Sequence, residues 1–374
     1  MSKVESLSIS GFKSIRELKG FPLSALNVLI GANGAGKSNF LSLFPLLSAM
    51  AGQRFQLFVQ TQGGPDALLH FGRKVTEQLH GEFHFGGGSY RFDLIPTTDN
   101  RLVFDREYSK TNENENTPET ISNISHLVVN LPGAPLVEAG SPESALKINE
   151  KFGSPPIREL IGNRRLWHFC DTGESARVKQ RHTANDNLIL KTDAANLGAY
   201  LRMLHREHRA YYDRIVSTIR LVAPFFGGFV HRPGEPEFVE LEWTQRGNPD
   251  TPLKAHVLSD GTLRFLCLAT LLLQPVALLP DTILIDEPEL GLHPYAIAVL
   301  ADIFKQVAEK RQLIVSTQSV ELVNELEPED IIVVDQKNGA STFQRPNREE
   351  LAGWLEEYTL GELWQRNILD GGLP

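Results

Sequence analysis

The segment Gly31-Ala-Asn-Gly-Ala-Gly-Lys-Ser38 is the most informative part of this 374-residue chain. It consists of a glycine, four residues and then Gly-Lys-Ser, which is the pattern of a phosphate-binding loop. A short apolar run at Leu26–Ile30 predicts a buried strand before it, and apolar spacing predicts a helix from Lys37 onwards. Glycines let the backbone turn its N–H groups towards phosphates, and the positive end of a helix attracts anions. The segment therefore predicts a nucleotide-binding α/β protein.

The polar side chains of this loop have expected roles. Lys37 is expected to reach the β- and γ-phosphates of a nucleotide, and Ser38 is expected to ligate Mg²⁺. The predicted nucleotide-binding residues of the loop are Asn33, Gly34, Ala35, Gly36, Lys37, Ser38 and Asn39. The alternative is a glycine-rich turn that merely opens a helix, and the flanking strand and helix argue against it.

A second candidate site lies far downstream, where the apolar run Ile283-Leu-Ile ends in Asp286 and Glu287. A carboxylate at the carboxyl end of a sheet strand is well placed to complete a Mg²⁺ site beside a phosphate loop. Asp286 is expected to hold the metal, directly or through water, and Glu287 to orient or deprotonate the attacking water. The alternative is a strand that simply ends in a polar turn, which is less favoured in a chain with a phosphate loop.

Composition excludes several classes of protein. Lys and Arg number 37, Asp and Glu number 46, and apolar residues make up 41%, which is ordinary for a globular chain and excludes a disordered or collagen-like one. Two cysteines, Cys170 and Cys267, cannot form a disulfide framework, so a reducing, cytoplasmic setting is predicted. The longest apolar stretch is shorter than the ~20 residues of a membrane span, and no membrane segment is expected.

Hydrophobic periodicity predicts most of the remaining elements. Residues 4–9 read as a strand, residues 81–95 and 101–106 as an antiparallel meander, and residues 110–118 as a polar loop. Helices are expected to dominate residues 156–222, ending in one long helix near 194–220. Beyond residue 237, the predicted strands are 238–244, 282–286, 312–317 and 331–335. The predicted helices are 262–273, 294–310, 320–326, 348–358 and 360–368. This alternation predicts a mainly parallel sheet.

Residues 154–220 form a basic block within an acidic chain. They contain 12 Lys or Arg and 7 Asp or Glu, although the whole chain has a net charge of −9. The block is either a solvated face of mixed charge or a surface for nucleic acid or an acidic partner. Trp167, His168 and Phe169 beside Arg164 and Arg165 interleave aromatic and basic side chains, as single-strand binders do. Ordinary core packing is the commoner explanation of such rings.

Three further motifs give the chain a family resemblance. Leu258-Ser-Asp-Gly-Thr262 precedes an apolar helix, Asp286-Glu-Pro-Glu-Leu-Gly-Leu-His-Pro294 follows it, and Ser316-Thr-Gln-Ser319 ends a later strand. With the phosphate loop and the opening Gly11-Phe-Lys-Ser14, the chain resembles ABC-class ATPases of the SMC/RecF/OLD-like branch. It is similar to the predicted ATPases of the AAA_21/AAA_15 type that lack a TOPRIM domain. The resemblance covers residues 1–95 and 237–335.

The resemblance implies a fold class and a domain plan. The expected fold is α/β, an ABC-type P-loop ATPase head with a mixed sheet, an antiparallel β subdomain and a helical insert. Residues 1–95 would form an N-terminal ATPase lobe with the phosphate loop. Residues 96–236 would form a mainly helical, basic insert. Residues 237–374 would form a C-terminal lobe with the signature motif, the acidic strand end and the switch strand.

The resemblance also implies functional residues outside the phosphate loop. In such heads two subunits sandwich two ATP molecules, and Ser259 and Gly261 would contact the γ-phosphate that the other subunit holds. Ser259 equally fits a helix N-cap. Gln318 stands where many ABC-class proteins carry a histidine at the γ-phosphate; its amide donates a hydrogen bond but carries no charge, which fits slow hydrolysis. The Mg²⁺-sensing glutamine would be one of Gln53, Gln56, Gln60 and Gln62, among which the sequence does not choose, and Gln62 is the one assigned. His293 lies either near the opposite site or in an ordinary turn.

The implied function is that of a slow ATPase that uses Mg²⁺ and forms a homodimer, or a higher oligomer, through ATP. It would regulate a separately encoded effector, a TOPRIM-type nuclease or a toxin, in bacterial anti-phage defence. Three alternatives stand: a DNA-repair or chromosome-maintenance ATPase that binds DNA through its basic insert, the nucleotide-binding subunit of a transporter, and a protein that holds ATP as a structural ligand.

Overall fold

The computed structural model describes residues 3–111, 139–146, 165–169, 171–234 and 236–369. The chain forms two compact units. The first comprises Met1–Arg165 and Ile332–Arg345, and the second comprises Leu166–Ile331 and Pro346–Pro374. The polar loop was predicted at 110–118, but residues 110 and 111 belong to a strand that ends at Thr111; residues 112–118 and Cys170 lie outside the described residues. The three-segment domain plan stays a prediction.

Sixteen strands and eleven α-helices are assigned within the described residues. The strands are β1 (Val4–Phe12), β2 (Ile15–Pro22), β3 (Leu26–Ile30), β4 (Leu79–Phe85), β5 (Gly88–Pro96), β6 (Leu102–Thr111), β7 (Arg165–Trp167), β8 (His182–Thr183), β9 (Phe226–Phe229), β10 (Phe238–Val239), β11 (Glu242–Gln245), β12 (Asn248–Lys254), β13 (Thr282–Asp286), β14 (Gln312–Ser316), β15 (Ile331–Lys337) and β16 (Ala340–Gln344). The α-helices are α1 (Lys37–Leu41), α2 (Leu43–Ala51), α3 (Phe55–Thr61), α4 (Pro65–Leu68), α5 (Leu197–Glu207), α6 (Arg209–Val222), α7 (Asp260–Leu273), α8 (Pro294–Ala308), α9 (Val320–Asn324), α10 (Arg348–Leu355) and α11 (Leu360–Gln365).

The first unit contains a five-stranded antiparallel sheet in the order β2-β1-β4-β5-β6. Alternating residues of β4 and β5 point into its core, where Phe83, Tyr90 and Phe92 are fully buried. This confirms the predicted meander. The same unit contains β3 beside the antiparallel hairpin of β15 and β16. All five residues of β3 are buried, as a strand covered on both faces requires.

The helix predicted from Lys37 is present but divided. It runs as α1 and α2 with a break at Ser42. The predicted apolar face is confirmed, because Phe40, Leu43, Phe44 and Leu47 are all fully buried. The division therefore leaves the buried face continuous.

The second unit is built on the parallel pair β13 and β14, with β7 on the other side of β13. The helix α7 is buried along nearly its whole length, from Leu263 to Leu273. The predicted strands and helices from residue 262 onwards are confirmed to within a few residues at their ends. Since both strands end at the same edge, their C-terminal residues are neighbours: Asp286 is paired with Ser316.

The expectation that helices dominate residues 156–222 is wrong for the described residues before Leu197. They form two short strands, a 3₁₀ turn at Arg177–Lys179 and loops. Short polar side chains bond to nearby backbone there: Asp193 Oδ1 accepts from Ala195 N at 3.0 Å, and Asn196 Nδ2 donates to Asp186 O at 2.8 Å. Such local bonds compete with helix formation. The predicted long helix is also divided, into α5 and α6 at His208.

Strand prediction failed around residue 240. The predicted strand at 238–244 is two strands, β10 paired with β8 and β11 paired with β9 and β12. Six of the described strands, β2, β7, β8, β9, β12 and β16, were not predicted. The residues of β12 are almost all exposed, so its sequence carries no hydrophobic alternation. Among the described helices, none is both long and apolar enough to cross a membrane.

Candidate nucleotide site

The phosphate loop of the first unit connects β3 to α1. Lys37 is buried, and its ammonium group donates to Gly31 O at 2.7 Å and to Ala32 O at 3.1 Å. Gly36 has a φ of 114°, and a Cβ there would overlap the Ser341 hydroxyl and lie 2.7 Å from Ser14 Oγ. Only glycine fits that position, for both steric and conformational reasons.

A network of hydroxyl groups supports the loop from within the same unit. Ser341 Oγ donates to Ala35 O at 2.5 Å and accepts from Ser14 Oγ at 2.7 Å, and Asn39 Nδ2 donates to Ser14 Oγ at 2.7 Å. Ser14 closes the Gly11-Phe-Lys-Ser14 motif, which thereby acquires a structural role. Ser341 was missed by sequence reasoning, because it lies more than 300 residues from the loop and belongs to an unpredicted strand.

The loop fits a phosphate group. Gly34 has a φ of 81°, and a Cβ built on it meets no atom within 4 Å, so the crest of the loop is open. The loop offers backbone N–H groups, which suit phosphate oxygens, and the hydroxyl oxygen of Ser38, which suits Mg²⁺. The individual contacts predicted for Asn33 to Asn39 stay predictions.

Gln62 lies at the C-terminal end of α3 and is exposed. Its Oε1 accepts from Lys13 Nζ at 3.3 Å, and burial lowers the pKa of Lys13. Two other glutamines already donate to backbone carbonyl groups. The side-chain amide of Gln53 donates to Ser144 O, and that of Gln56 donates to Leu102 O and Pro142 O. The role of Gln62 towards Mg²⁺ stays a prediction.

The second unit brings Asp286 and Glu287 together with Ser316 and Gln318; we call these four residues the acidic site. The Ser316 hydroxyl donates to Asp286 Oδ1. Gln318 Nε2 donates to Glu287 Oε1 at 2.5 Å. The strand pairing explains the contact, since both side chains follow the adjacent ends of β13 and β14. Gln318, inferred only from a family resemblance, is thus a direct partner of the predicted general base.

Glu287 has an unusual backbone conformation. Its φ is +46°, in the left-handed region that residues with side chains seldom adopt, and its N–H donates to Ser316 O at 3.0 Å. Strained residues of this kind concentrate at functional sites, where the surrounding structure holds them. The conformation supports a functional assignment for Glu287.

Ser259 caps α7. Its hydroxyl accepts from Thr262 N at 3.2 Å, which confirms the capping expectation, and its side chain is exposed. Gly261 approaches the loop after β13 so closely that a Cβ would overlap Gly291 O. The signature motif and that loop therefore form one surface within the second unit. The action of Ser259 and Gly261 on a second subunit's nucleotide stays a prediction.

His293 caps the next helix, α8. Its Nδ1 accepts from Tyr295 N at 3.3 Å, and the side chain is exposed. The arrangement agrees with the turn histidine that was one of its two expected roles. Two large apolar side chains beside it are exposed: Leu290 in the preceding loop is 40% exposed, and Tyr295 in the first turn of α8 is 53% exposed.

The rings of residues 167–169 lie in two different environments, the core and the acidic site. Trp167 and Phe169 are 2% and 5% exposed, so these two rings pack in the core and present no stacking face to a nucleic acid. His168 points the other way, and its Nδ1 lies 3.9 Å from Asp286 Oδ2. Sequence reasoning missed this proximity; the available signal was the alternation of the two aromatic residues with His168, which places Trp167 and Phe169 on one side and His168 on the other.

Solved structures show what fold these parts make. The Smc head domain with an extended coiled coil bound to the C-terminal domain of ScpA, from Pyrococcus furiosus, is similar with a TM-score of 0.59 and 16% identity over 96% of this chain and 99% of that chain. An SmcHead bound to the C-winged helix domain of ScpA gives 0.58 and 16% over 93% and 99%. The Smc head domain with a coiled coil and joint from Pyrococcus yayanosii gives 0.53 and 13% over 96% and 99%. The fold is that of an ABC-type P-loop ATPase head, as predicted.

The family follows from the sequence itself. A family model described as "AAA domain, putative AbiEii toxin, Type IV TA system" (AAA_21) matches residues 26–324. The chain belongs to this AAA_21 family of P-loop ATPases, which confirms the predicted SMC/RecF-like relationship. No protein of curated function matches the chain.

Proposed function

We propose that this protein binds Mg·ATP and hydrolyses it slowly, as a homodimer that encloses two nucleotides. The observation that carries the proposal is the 2.5 Å hydrogen bond between Gln318 and Glu287, which places an uncharged donor on the general base. An amide orients that carboxylate but supplies no proton and no positive charge. Slow turnover, suited to a switch, is the expected consequence.

The site residues have separate proposed roles in phosphate binding, Mg²⁺ binding and hydrolysis. Lys37 and the N–H groups of the loop would hold the phosphates, and Ser38, Asp286 and Gln62 would hold Mg²⁺. When bound, Mg²⁺ neutralises negative charge on the phosphates. Glu287 orients a water molecule and takes its proton, and Gln318 fixes the position of the Glu287 carboxylate.

Dimerisation through ATP is supported by the surface around the signature motif. Ser259 is exposed at the start of α7, where its hydroxyl and backbone N–H groups suit an anion. Gly261 packs against Gly291, and Leu290 in the same loop and Tyr295 in the first turn of α8 are exposed. A surface that closes on a nucleotide held by a second subunit is expected to combine an anion site with exposed apolar residues, as this one does.

The biological role we propose is regulation of a separately encoded effector, a nuclease or toxin, in bacterial anti-phage defence. The description of the family, with its putative toxin and type IV toxin–antitoxin system, supports a role of this kind. The Smc heads that share the fold are described in complex with ScpA, which supports binding of a separate protein partner. The predicted cytoplasmic location belongs with this role.

The test is the solution mass of the Glu287→Gln protein, measured by light scattering with and without Mg·ATP. The change preserves binding and blocks hydrolysis, so the mass is expected to double with Mg·ATP and to stay monomeric when Ser259→Arg is added. Glu309→Gln, an exposed glutamate at the end of α8, is the matched control. An unchanged mass in Glu287→Gln would overturn the sandwich.

Direct DNA binding is the second candidate, favoured by the basic block. Its helices α5 and α6 place Arg206, Arg209, Arg214 and Arg220 at exposed positions. Hydrolysis that DNA stimulates, with a stimulation that falls steeply as salt rises, would favour this candidate. Hydrolysis indifferent to DNA would favour the effector switch.

A further inference from the structure

Glu289 is a buried carboxyl group that the proposed mechanism does not use. It lies three residues after Asp286 in the loop that follows β13, and it is only 8% exposed. Its Oε1 accepts from the backbone N–H of Gln318 at 2.9 Å. The loop after β13 is thereby tied to the loop after β14 by one side chain.

The contact continues to the general base. Glu289 holds the backbone of Gln318, and the side chain of Gln318 donates to Glu287 Oε1 at 2.5 Å. Glu287 and Glu289 are two residues apart, so the three groups form a closed ring of contacts. A hydrogen bond to the backbone fixes the point from which the Gln318 side chain extends, and therefore limits where its amide can lie.

The second oxygen of Glu289 has no hydrogen-bond partner within the described residues, although it is buried. Burial raises the pKa of this carboxyl, against hydrogen bonds from Thr317 and from Gln318 N–H that lower it, and the charge of Glu287 raises it further. A neutral carboxyl group costs far less to bury than a carboxylate. The surroundings thus suit the protonated acid, whose shape and hydrogen-bonding capacity a glutamine side chain reproduces.

We propose that Glu289 is a positioning residue for hydrolysis: it holds the backbone of Gln318 and thereby keeps the Gln318 amide on the Glu287 carboxylate. This inference rests on the proposed ATPase function. It assigns a task to the second glutamate of the Asp286-Glu-Pro-Glu289 segment and explains why that side chain is buried rather than solvated.

Steady-state ATPase kinetics of the full chain test the proposal. Glu289→Ala should lower kcat about tenfold, the rate equivalent of one lost hydrogen bond to a carboxyl group, while KM for ATP changes by less than about twofold. Glu289→Gln should restore kcat to nearly the wild-type value. The double variant Glu289→Ala with Gln318→Ala should be no slower than Gln318→Ala alone, because both changes break the same chain of contacts.

Glu321→Ala is the matched control. Glu321 accepts from the Ser319 hydroxyl at 2.9 Å and lines the same groove as Glu289 and Gln318, with a volume of about 400 Å³. Its loss should leave kcat unchanged. Equal losses in Glu289→Ala and Glu321→Ala, a Glu289→Gln variant as slow as Glu289→Ala, or additive losses in the double variant would each overturn the positioning role.

Hydrogen exchange of the backbone N–H groups at residues 317–319 separates this proposal from the ATPase function. Exchange there should accelerate in Glu289→Ala and not in Glu289→Gln, whether or not the chain turns over ATP. Unchanged exchange in Glu289→Ala would overturn the positioning role even in an active ATPase. A wild-type chain that hydrolyses no Mg·ATP would overturn the proposed function and the catalytic half of this inference, while the exchange result would still decide whether the contact exists.

Discussion

The phosphate loop and the acidic site are built from different kinds of groups. In the loop, backbone groups dominate: its glycines have no side chains, and the Lys37 ammonium group donates to the backbone carbonyls of Gly31 and Ala32. The acidic site is made of side chains that bond to one another, with Gln318 on Glu287 and Ser316 on Asp286. Space and backbone conformation therefore determine the structure of the loop, whereas hydrogen bonds between side chains determine the structure of the acidic site. Substitutions should show that the two sites respond to different changes, the loop to added volume and the acidic site to lost hydrogen bonds.

The largest effect is expected from Gly36→Ala. The new methyl group would overlap the Ser341 hydroxyl, lie 2.7 Å from Ser14 Oγ and occupy a residue with a φ of 114°. Displacing the loop should weaken ATP binding by at least about 100-fold, because backbone N–H groups lose their alignment with the phosphates. Titration with a fluorescent ATP analogue measures it.

Gly353→Ala provides the control for that change. Gly353 lies in α10, and a Cβ there meets no atom within 4 Å. Alanine at this helical position should leave ATP binding unchanged and raise stability by about 0.5–1 kcal/mol. Gly36→Ala with unaltered ATP affinity would contradict the steric account of the loop.

A smaller effect is expected when the stabilities of the two units are compared at acid pH. In the second unit, burial lowers the pKa of His231 to about 4, assisted by the positive charges of His205, Arg202 and Arg209. The unfolded chain takes up this proton near its ordinary value of 6.5, so stability is complete above pH 6.5 and is lost as pH falls towards 4. In the first unit, burial raises the pKa of Glu107, which favours folding at low pH.

Acidification from pH 7 to 5 should therefore unfold the second unit at a temperature lower by about 5 °C. Calorimetric scans resolve the transition, and tryptophan fluorescence follows the second unit, because all four tryptophans lie in it. His231→Phe should reduce this pH dependence. A control at Glu107, Glu107→Gln, should leave the acid shift of the second unit in place. An acid shift that persists in His231→Phe would assign the effect to other groups.

The smallest effect is expected from Ser341→Ala. The hydroxyl donates to Ala35 O and accepts from Ser14 Oγ, and its loss should weaken ATP binding about fivefold, the value of one net hydrogen bond. Thr342→Ala is the control, since that neighbouring side chain is exposed and bonds only weakly, at 3.4 Å, to Asp335 O. Equal affinities in the two variants would show that the loop does not depend on β16.

Much of the fold could be predicted because local patterns coincide with the final structure. The strand and helix around the phosphate loop, the meander from Leu79 to Thr111 and the parallel strands β13 and β14 all have hydrophobic spacing that only one kind of element buries. The region before Leu197 could not be predicted, because polar side chains such as Asn196 and Asp193 bond to backbone across turns that periodicity does not detect.

The site was predictable in its residues and not in its contacts. Asp286 and Glu287 stand at the end of one predicted strand and Gln318 just after another, and the family resemblance identified all three as site residues. The hydrogen bond between Gln318 and Glu287, the left-handed backbone of Glu287 and the burial of Glu289 depend on strands paired across some thirty residues. Nothing in the composition of either segment distinguishes a buried glutamate from a solvated one.

The order of glycines, lysine and serine in residues 31–38 was sufficient to establish a phosphate-binding loop, because backbone conformation there is a local property of residue type. The motifs were likewise sufficient for the ATPase family. Tertiary structure alone decided that Ser341 supports the loop, that His168 faces Asp286 and that Glu289 holds Gln318. The physical reason is that burial and hydrogen bonding depend on which distant segments meet, and the pairing of strands, rather than any local preference, sets those meetings.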